Sequence, residues 1–276
     1  MARELTLPKW PDDAEVAVSL TFDVDAESGW LGEGEEEYRR RLTILSEGRF
    51  GVVRGLPRIL ELLKEFSIPA TFYVPGDTAE RHTRAVETLV EAGHEIGHHG
   101  HMHLRSDRIS ADLQRREIER GLAALESTLS LRPRGYRSAS WELTPETFAL
   151  LFEYDFGYDS SCMGDDRPYL EEFEGRTLLE LPVHWSLDDW PYFAWTIDAG
   201  GNATNAHDFQ RNWLDEFESA RRDRRHVTYT MHPEVIGRGY RIASLRRFLE
   251  AITGEARIWF ASHGDVAALA AGSHAR

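Results

Sequence analysis

The sequence predicts an α/β protein whose strands curl into a closed or nearly closed β/α barrel. Apolar, β-branched runs alternate with stretches of helical periodicity from end to end. Seven or eight such strands can be read, which suits a barrel better than an open doubly wound sheet. No internal repeat and no Gly/Ser/Pro linker divides them, so residues 1–276 read as a single domain.

The elements follow in order. "EVAVSLTF" is the first strand, and Leu56, Ile59, Leu60, Leu63 and Phe66 recur at helical spacing in "LPRILELLKEF". Between them, residues of about 26–54 form an insertion too long for an ordinary connection. "ATFYV" is the second strand, "TRAVETLVEAG" a helix closed by Gly93, and "HEIG" a short third strand. Ser110 is placed to cap a helix through "ADLQRREIERGLAALESTL", and "RGYRSA" follows as a strand. "TPETFALLFEY" opens on a Thr cap with Pro at the first helical position. Strands "FGYDSS", "LLELPVHW", "HVTYTMH" and "ARIWFAS" then frame the helices "DFQRNWLDEFESARR" and "RIASLRRFLEAI".

Composition narrows the function. With 32 basic and 47 acidic residues the formal charge is -15, which argues against nucleic-acid or anionic-membrane partners. The N-terminus lacks a basic region followed by an apolar run, and no segment reads as membrane-spanning, so the expected location is cytoplasmic. A single cysteine, Cys162, excludes an internal disulfide and a thiolate metal cluster. It reads as a small, half-buried side chain rather than a nucleophile.

Catalytic groups of a parallel β/α fold collect at the carboxyl ends of its strands. Four constellations fall there. "TFDVD" closes the first strand, and on an extended chain Asp23 and Asp25 point to the same side. Two carboxylates in one site stay ionised only where a cation or strong donors neutralise them. "GHEIGHHGHMHLRS" holds five of the twelve histidines, and its spacing allows several ligand pairs: His94 with His98, His99 with His103, or His101 with a distant partner. Two imidazoles and one carboxylate would leave positions on a metal open for water and substrate. "YRSASW" offers Arg137 to orient a carboxylate, and "YTMHPEVIGR" puts His232 at a late strand end, suited to protonating a leaving amine. Each residue alone has a bland reading as a cap, ion pair or surface group. Together they describe metal-assisted hydrolysis of an amide-like bond.

On these motifs the sequence resembles the polysaccharide deacetylase family, the NodB-homology carbohydrate esterases. "TFDVD" stands where better-known members carry Thr-Phe-Asp-Asp, "GHEIGHHGHMH" matches Gly-His-Glu-Ile-Gly-Asn-His-x-x-x-His, and "RSASW", "LDDW" and "TMHP" fall at the Arg, Asp-Trp and final His motifs. The resemblance implies a distorted (β/α)7-type barrel, with Asp23 as catalytic base, Asp25, His99 and His103 as metal ligands, Arg137 orienting Asp23, and His232 as acid. It places Asp189 and Trp190 in the substrate groove, and Trp141 is a third candidate for that wall. The implied cofactor is a divalent metal ion, zinc first, with iron, cobalt or manganese also suiting the ligands.

Val24 separates the two aspartates, Ala139 stands where Pro is usual, and Ser186 occupies the first Asp position of the Asp-x-x-Asp-Trp motif. The last leaves Asp188 or Asp189 to tune His232. These departures, with "HPEVIGR" and "WFAS", resemble the intracellular branch that includes a Helicobacter-type peptidoglycan deacetylase, cyclic imidases and allantoinase-like enzymes. The expected function is metal-dependent hydrolysis of non-peptide C–N bonds, as N-deacetylation of a small-molecule or oligosaccharide amide. The alternatives are a cyclic imide or ureide amidohydrolase and an inactive sugar-binding module. The resemblance also raises a homo-oligomer.

Overall fold

The computed structural model describes residues 3–5, 9–196, 200–201, 204–254 and 257–274. Its strands are β1 (Arg3–Glu4), β2 (Val16–Asp23), β3 (Ala70–Val74), β4 (Glu95–His98), β5 (Gly135–Tyr136), β6 (Tyr158–Asp159), β7 (Tyr169–Phe173), β8 (Arg176–Glu180), β9 (Trp195–Thr196), β10 (Gly200–Gly201), β11 (His226–Met231) and β12 (Ile258–Phe260). All eight residues of β2 are buried, as a continuous apolar run requires of a strand covered on both faces. β11 runs parallel along one edge of β2, while β12 pairs with Val16–Val18 and β3 with Leu20–Asp23 along the other. From β3 the sheet continues through β4, β5, β6 and β8, all parallel. β7 and β1 extend it antiparallel past β8.

The sheet curls but does not close on a ladder. Among the described residues, the one pairing across the seam between β8 and β11 is the isolated bridge Asp188↔Thr230. Pro182 helps explain why β8 ends so early, because it has no N–H to donate to a neighbour. The distorted barrel is thus a half-barrel with an open seam. Its consequence for function is geometric: β2, β4, β5 and β11 all deliver their C-terminal residues to one rim.

Helices cover the outer face. In Leu56–Phe66, Leu56, Ile59, Leu62 and Leu63 are buried in the main apolar cluster with Phe22 and Phe72, whose rings stack 4.9 Å apart. The helix Ala111–Leu129 starts where Ser110 accepts a hydrogen bond from the Leu113 N–H. Pro145–Glu153 starts at a Thr144 capping box with Pro at its first position. No helix among the described residues is long and apolar enough to cross a membrane.

The insertion folds over the rim. It forms the short helices Ser28–Leu31, Glu35–Tyr38 and Leu42–Phe50, then a π-helical turn Gly51–Gly55 that runs directly into Leu56–Phe66. Glycine is required in that turn by close approach. A Cβ on Gly55 would lie 2.0 Å from the Pro233 carbonyl oxygen, and one on Gly51 2.9 Å from the Glu234 nitrogen. The insertion is therefore packed hard against the segment that follows β11.

Candidate active site

A cavity of about 520 Å³ opens at the rim, walled by Trp30, Trp141, Trp185 and Trp190 and floored by Asp23, Asp25, His99, His103 and His232. Asp23 ends β2 and Asp25 follows it, and both side chains are buried. His99 follows β4 directly, while His103 sits on the next turn with φ 58, a left-handed conformation costing a non-glycine residue about 1 kcal/mol or more. Glu117 holds that turn in place, its Oε2 accepting hydrogen bonds from the N–H groups of His101 (3.0 Å) and Met102 (2.8 Å).

Asp25, His99 and His103 bring one oxygen and two ring nitrogens within 4.8 Å of one another. His99 Nδ1 lies 2.7 Å from the Arg137 carbonyl oxygen. A carbonyl can only accept, so Nδ1 carries the hydrogen and Nε2 is bare. That bare Nε2 faces Asp25 Oδ1 at 3.4 Å, and His103 Nε2 faces Asp25 Oδ2 at 3.4 Å. Asp25 Oδ1 has no hydrogen-bond partner. Burial pushes the Asp25 carboxyl up, with the Asp23 charge adding to it, and pushes His103 down to about 4. The bare His99 Nε2 set against the unpartnered Asp25 Oδ1 places two acceptors face to face, with His103 Nε2 beside the other oxygen, an arrangement that a divalent cation fits.

The other histidines of the run are turned away. His98 takes a hydrogen bond from the Gly100 N–H on Nδ1 and donates from Nε2 to the Ile118 carbonyl at 3.1 Å. His101 packs under Gly76, and the His94 ring lies 5.2 Å from Phe72.

Asp23 is held differently from Asp25. Its Oδ1 accepts from Arg137 at 2.7 Å, and its Oδ2 lies 3.5 Å from the Trp141 indole nitrogen and 3.9 Å from His99 Nε2. Burial opposes ionisation, but the Arg137 guanidinium, helped by His232, outweighs it and holds the carboxyl below the usual range. The fully buried Arg137 gives three further donors to Thr21, the Ser160 hydroxyl and the Ser160 carbonyl, and lies 4.1 Å over the Tyr73 ring. Arg137→Met, which leaves Asp23 buried without its partner, is expected to lower stability by about 3–5 kcal/mol. A urea midpoint checks this, and Asp23→Asn in the same chain should return part of the loss.

His232 follows β11. Its Nδ1 is 2.8 Å from Asp189 Oδ1 and 3.5 Å from Asp188 Oδ1, and its own N–H lies 3.1 Å from both Asp189 oxygens. Burial opposes protonation, but the two aspartates carry the imidazole well above its ordinary value. Nε2 remains free to face the cavity, 3.8 Å from Asp25 Oδ2. Both aspartates therefore act on His232. Asp189 is fully buried behind the imidazole, so Asp188 rather than Asp189 reaches the cavity wall.

Trp190 does line the cavity, its ring 5.2 Å from His232 and 5.6 Å from Trp30. Trp141 lines it too, stacked 4.2 Å from Trp185. Cys162 is half-buried outside this cavity, where burial and then Glu180 and Asp159 push its thiol far up. Sequence reasoning missed Trp30, inside the insertion, and Glu234, whose position just after the strand-end His-Pro was the available signal.

Buried carboxylates and imidazoles thus converge in one cavity at the strand ends of a half-barrel. Residues 12–156, more than half of the chain, match the family profile "Polysaccharide deacetylase", and the chain belongs to that family. Over 285 residues it is 27% identical to the peptidoglycan deacetylase of Helicobacter pylori, covering 92% of this chain and 95% of that protein. A Mycobacterium smegmatis crystal structure described as "putative polysaccharide deacetylase" superposes with a TM-score of 0.92 at 36% identity, over 98% of this chain and 96% of that one. The Puue allantoinase structure shares the fold, with a TM-score of 0.87 at 24% identity over 99% and 96% of the two chains. The chain is a hydrolase of carbon–nitrogen bonds of the deacetylase type.

Proposed function

We propose that the chain removes an N-acetyl group from a neutral carbohydrate amide in the rim cavity, using a divalent metal held by Asp25, His99 and His103. The observation that carries this reading is a pair of facing acceptors: the bare His99 Nε2 and the unpartnered Asp25 Oδ1 stand 3.4 Å apart in a buried site. Zinc suits two imidazoles and a carboxylate best; iron, cobalt and manganese also fit. When bound, such an ion polarises the amide carbonyl and lowers the pKa of water.

Asp23 is the general base. Arg137 keeps it ionised and fixes its Oδ1, which leaves Oδ2 to take the proton of the attacking water. His232 is the general acid. Its Nδ1 is occupied by Asp189, so the proton leaves from Nε2 toward the departing nitrogen. Asp189 is thus a positioning residue, acting through His232. Trp190 and Trp141 supply apolar faces on which a sugar ring can rest.

A chelator should abolish acetate release from N-acetylglucosamine oligomers, and one equivalent of zinc should restore it. Undiminished release from metal-free protein would overturn the reading. Asp189→Asn removes one of the two carboxylates that raise His232, so the alkaline limb of kcat against pH should move to lower pH. A pH–rate profile from 5 to 10 checks the direction.

A further inference from the structure

β8 stops at Glu180, and the chain beyond it makes the short 3₁₀ turn Trp185–Leu187 at the open seam. The turn is tied down on three sides. His184 Nδ1 accepts from the Ser186 N–H at 3.2 Å, the Leu187 N–H donates to the His184 carbonyl at 2.8 Å, and the Tyr192 hydroxyl donates to the Ser186 carbonyl at 3.0 Å. It carries Trp185 to the cavity wall, where this residue is 42% exposed.

Exposure orders the two indoles stacked on that wall. Trp141 is 6% exposed, and its indole nitrogen lies 3.5 Å from Asp23 Oδ2. Trp185 stacks on it at 4.2 Å with 23° between the planes, and is the member of the pair that opens to solvent. Trp141 thus stands beside the reacting groups and Trp185 farther toward the mouth. An open indole at a cavity mouth is surface that a ligand can cover, and one held on a fixed turn costs little entropy to use. The cavity's described lining has no Lys or Arg to attract an anionic ring, so a neutral one suits this wall.

We propose that Trp185 forms a subsite for a second sugar unit, next to the unit that carries the reacting amide, so that the cavity selects a neutral oligosaccharide over a single sugar. This rests on the deacetylase reading of the cavity. The apolar C–H face of the second ring lies on the indole before and throughout the reaction, so the contact should appear in KM rather than kcat.

The test is steady-state acetate release from N-acetylglucosamine and from its trimer, by the zinc-loaded protein and its Trp185→Ala and Trp185→Phe variants, with metal content and thermal midpoint for each. In the wild type KM should be about tenfold lower for the trimer than for the monomer. Trp185→Ala should raise the trimer KM about tenfold and the monomer KM less than about twofold, with kcat within about threefold on both. The preference for chain length then disappears while metal content holds. Phe, which keeps an aromatic face, should recover most of the preference.

A wild type whose KM does not distinguish the two substrates, or an Ala variant that keeps the preference, overturns the proposal and leaves the deacetylase reading standing. Equal rises in both KM values, or a large fall in kcat, would show Trp185 acting through Trp141 and overturn the subsite as well. A zinc-loaded wild type that releases acetate from neither substrate overturns the reading itself, and the proposal with it.

Discussion

His99→Ala should yield a folded protein that retains no stoichiometric divalent metal and has lost about a thousandfold or more in turnover. The imidazole supplies one of the three candidate ligand atoms, and a carboxylate with one remaining imidazole is a poor closed set for zinc. The magnitude follows from losing the charge that stabilises the developing oxyanion, where even a single hydrogen-bond donor is worth about 10²–10³-fold. The fold should survive. His99 contributes one hydrogen bond to the Arg137 carbonyl, worth about 1 kcal/mol, and its removal relieves the facing of two acceptors. Metal analysis with circular dichroism checks both halves. His103→Ala should behave alike, whereas His98→Ala, whose ring is bonded to backbone on both nitrogens, should keep its metal and lose stability.

Asp23→Asn should keep the metal and lose about 10²–10⁴ in kcat, the usual worth of a general base. Size is conserved and Arg137 can still donate to the amide oxygen, so the change isolates proton transfer. The pH dependence has a definite sign. Asp23 is held below the ordinary carboxylate range, so the acid limb of the wild-type profile should lie below about 4. His232 is held above its ordinary value, so the alkaline limb should lie above about 6.5. Asp23→Asn should erase the acid limb and leave the alkaline one. The same carboxylate also contributes to stability: its pKa is lower folded than unfolded, so its contribution is present above about 4 and lost as pH falls through the folded value.

Much of this was legible in the sequence because a fully buried parallel strand writes itself as an apolar run. "EVAVSLTF" differs from the observed Val16–Asp23 by one residue at each end, and "ATFYV" is β3 itself. The caps Ser110 and Thr144 stand where their side chains predict. The seam was hidden, since "LLELPVHW" reads on as one strand where β8 stops at Glu180, and only the bridge Asp188↔Thr230 spans to β11. β7 was missed because "YLEEF" is a partly exposed antiparallel strand whose charges break the alternation. The rim helices of the insertion are four residues long in two cases, too short to carry periodicity.

The site divides in the same way. Strand-end position marked Asp23, Asp25, Arg137 and His232, while the pairing of His99 with His103 over its rivals depended on the resemblance and not on spacing. "LDDW" holds two adjacent carboxylates, of which Asp188 lines the cavity while Asp189 lies against His232. Glu234 packs against Gly51, far away in sequence, and only its place just after the strand-end His-Pro marked it.

The most direct test of the account is a product assay of the zinc-loaded protein on three substrates in parallel: N-acetylglucosamine oligomers, succinimide and allantoin. The account predicts that the oligomers release acetate with one free amine per acetate, that both rings stay closed, and that His99→Ala abolishes the release. Ring opening of succinimide or allantoin without acetate release from the oligomers would contradict it.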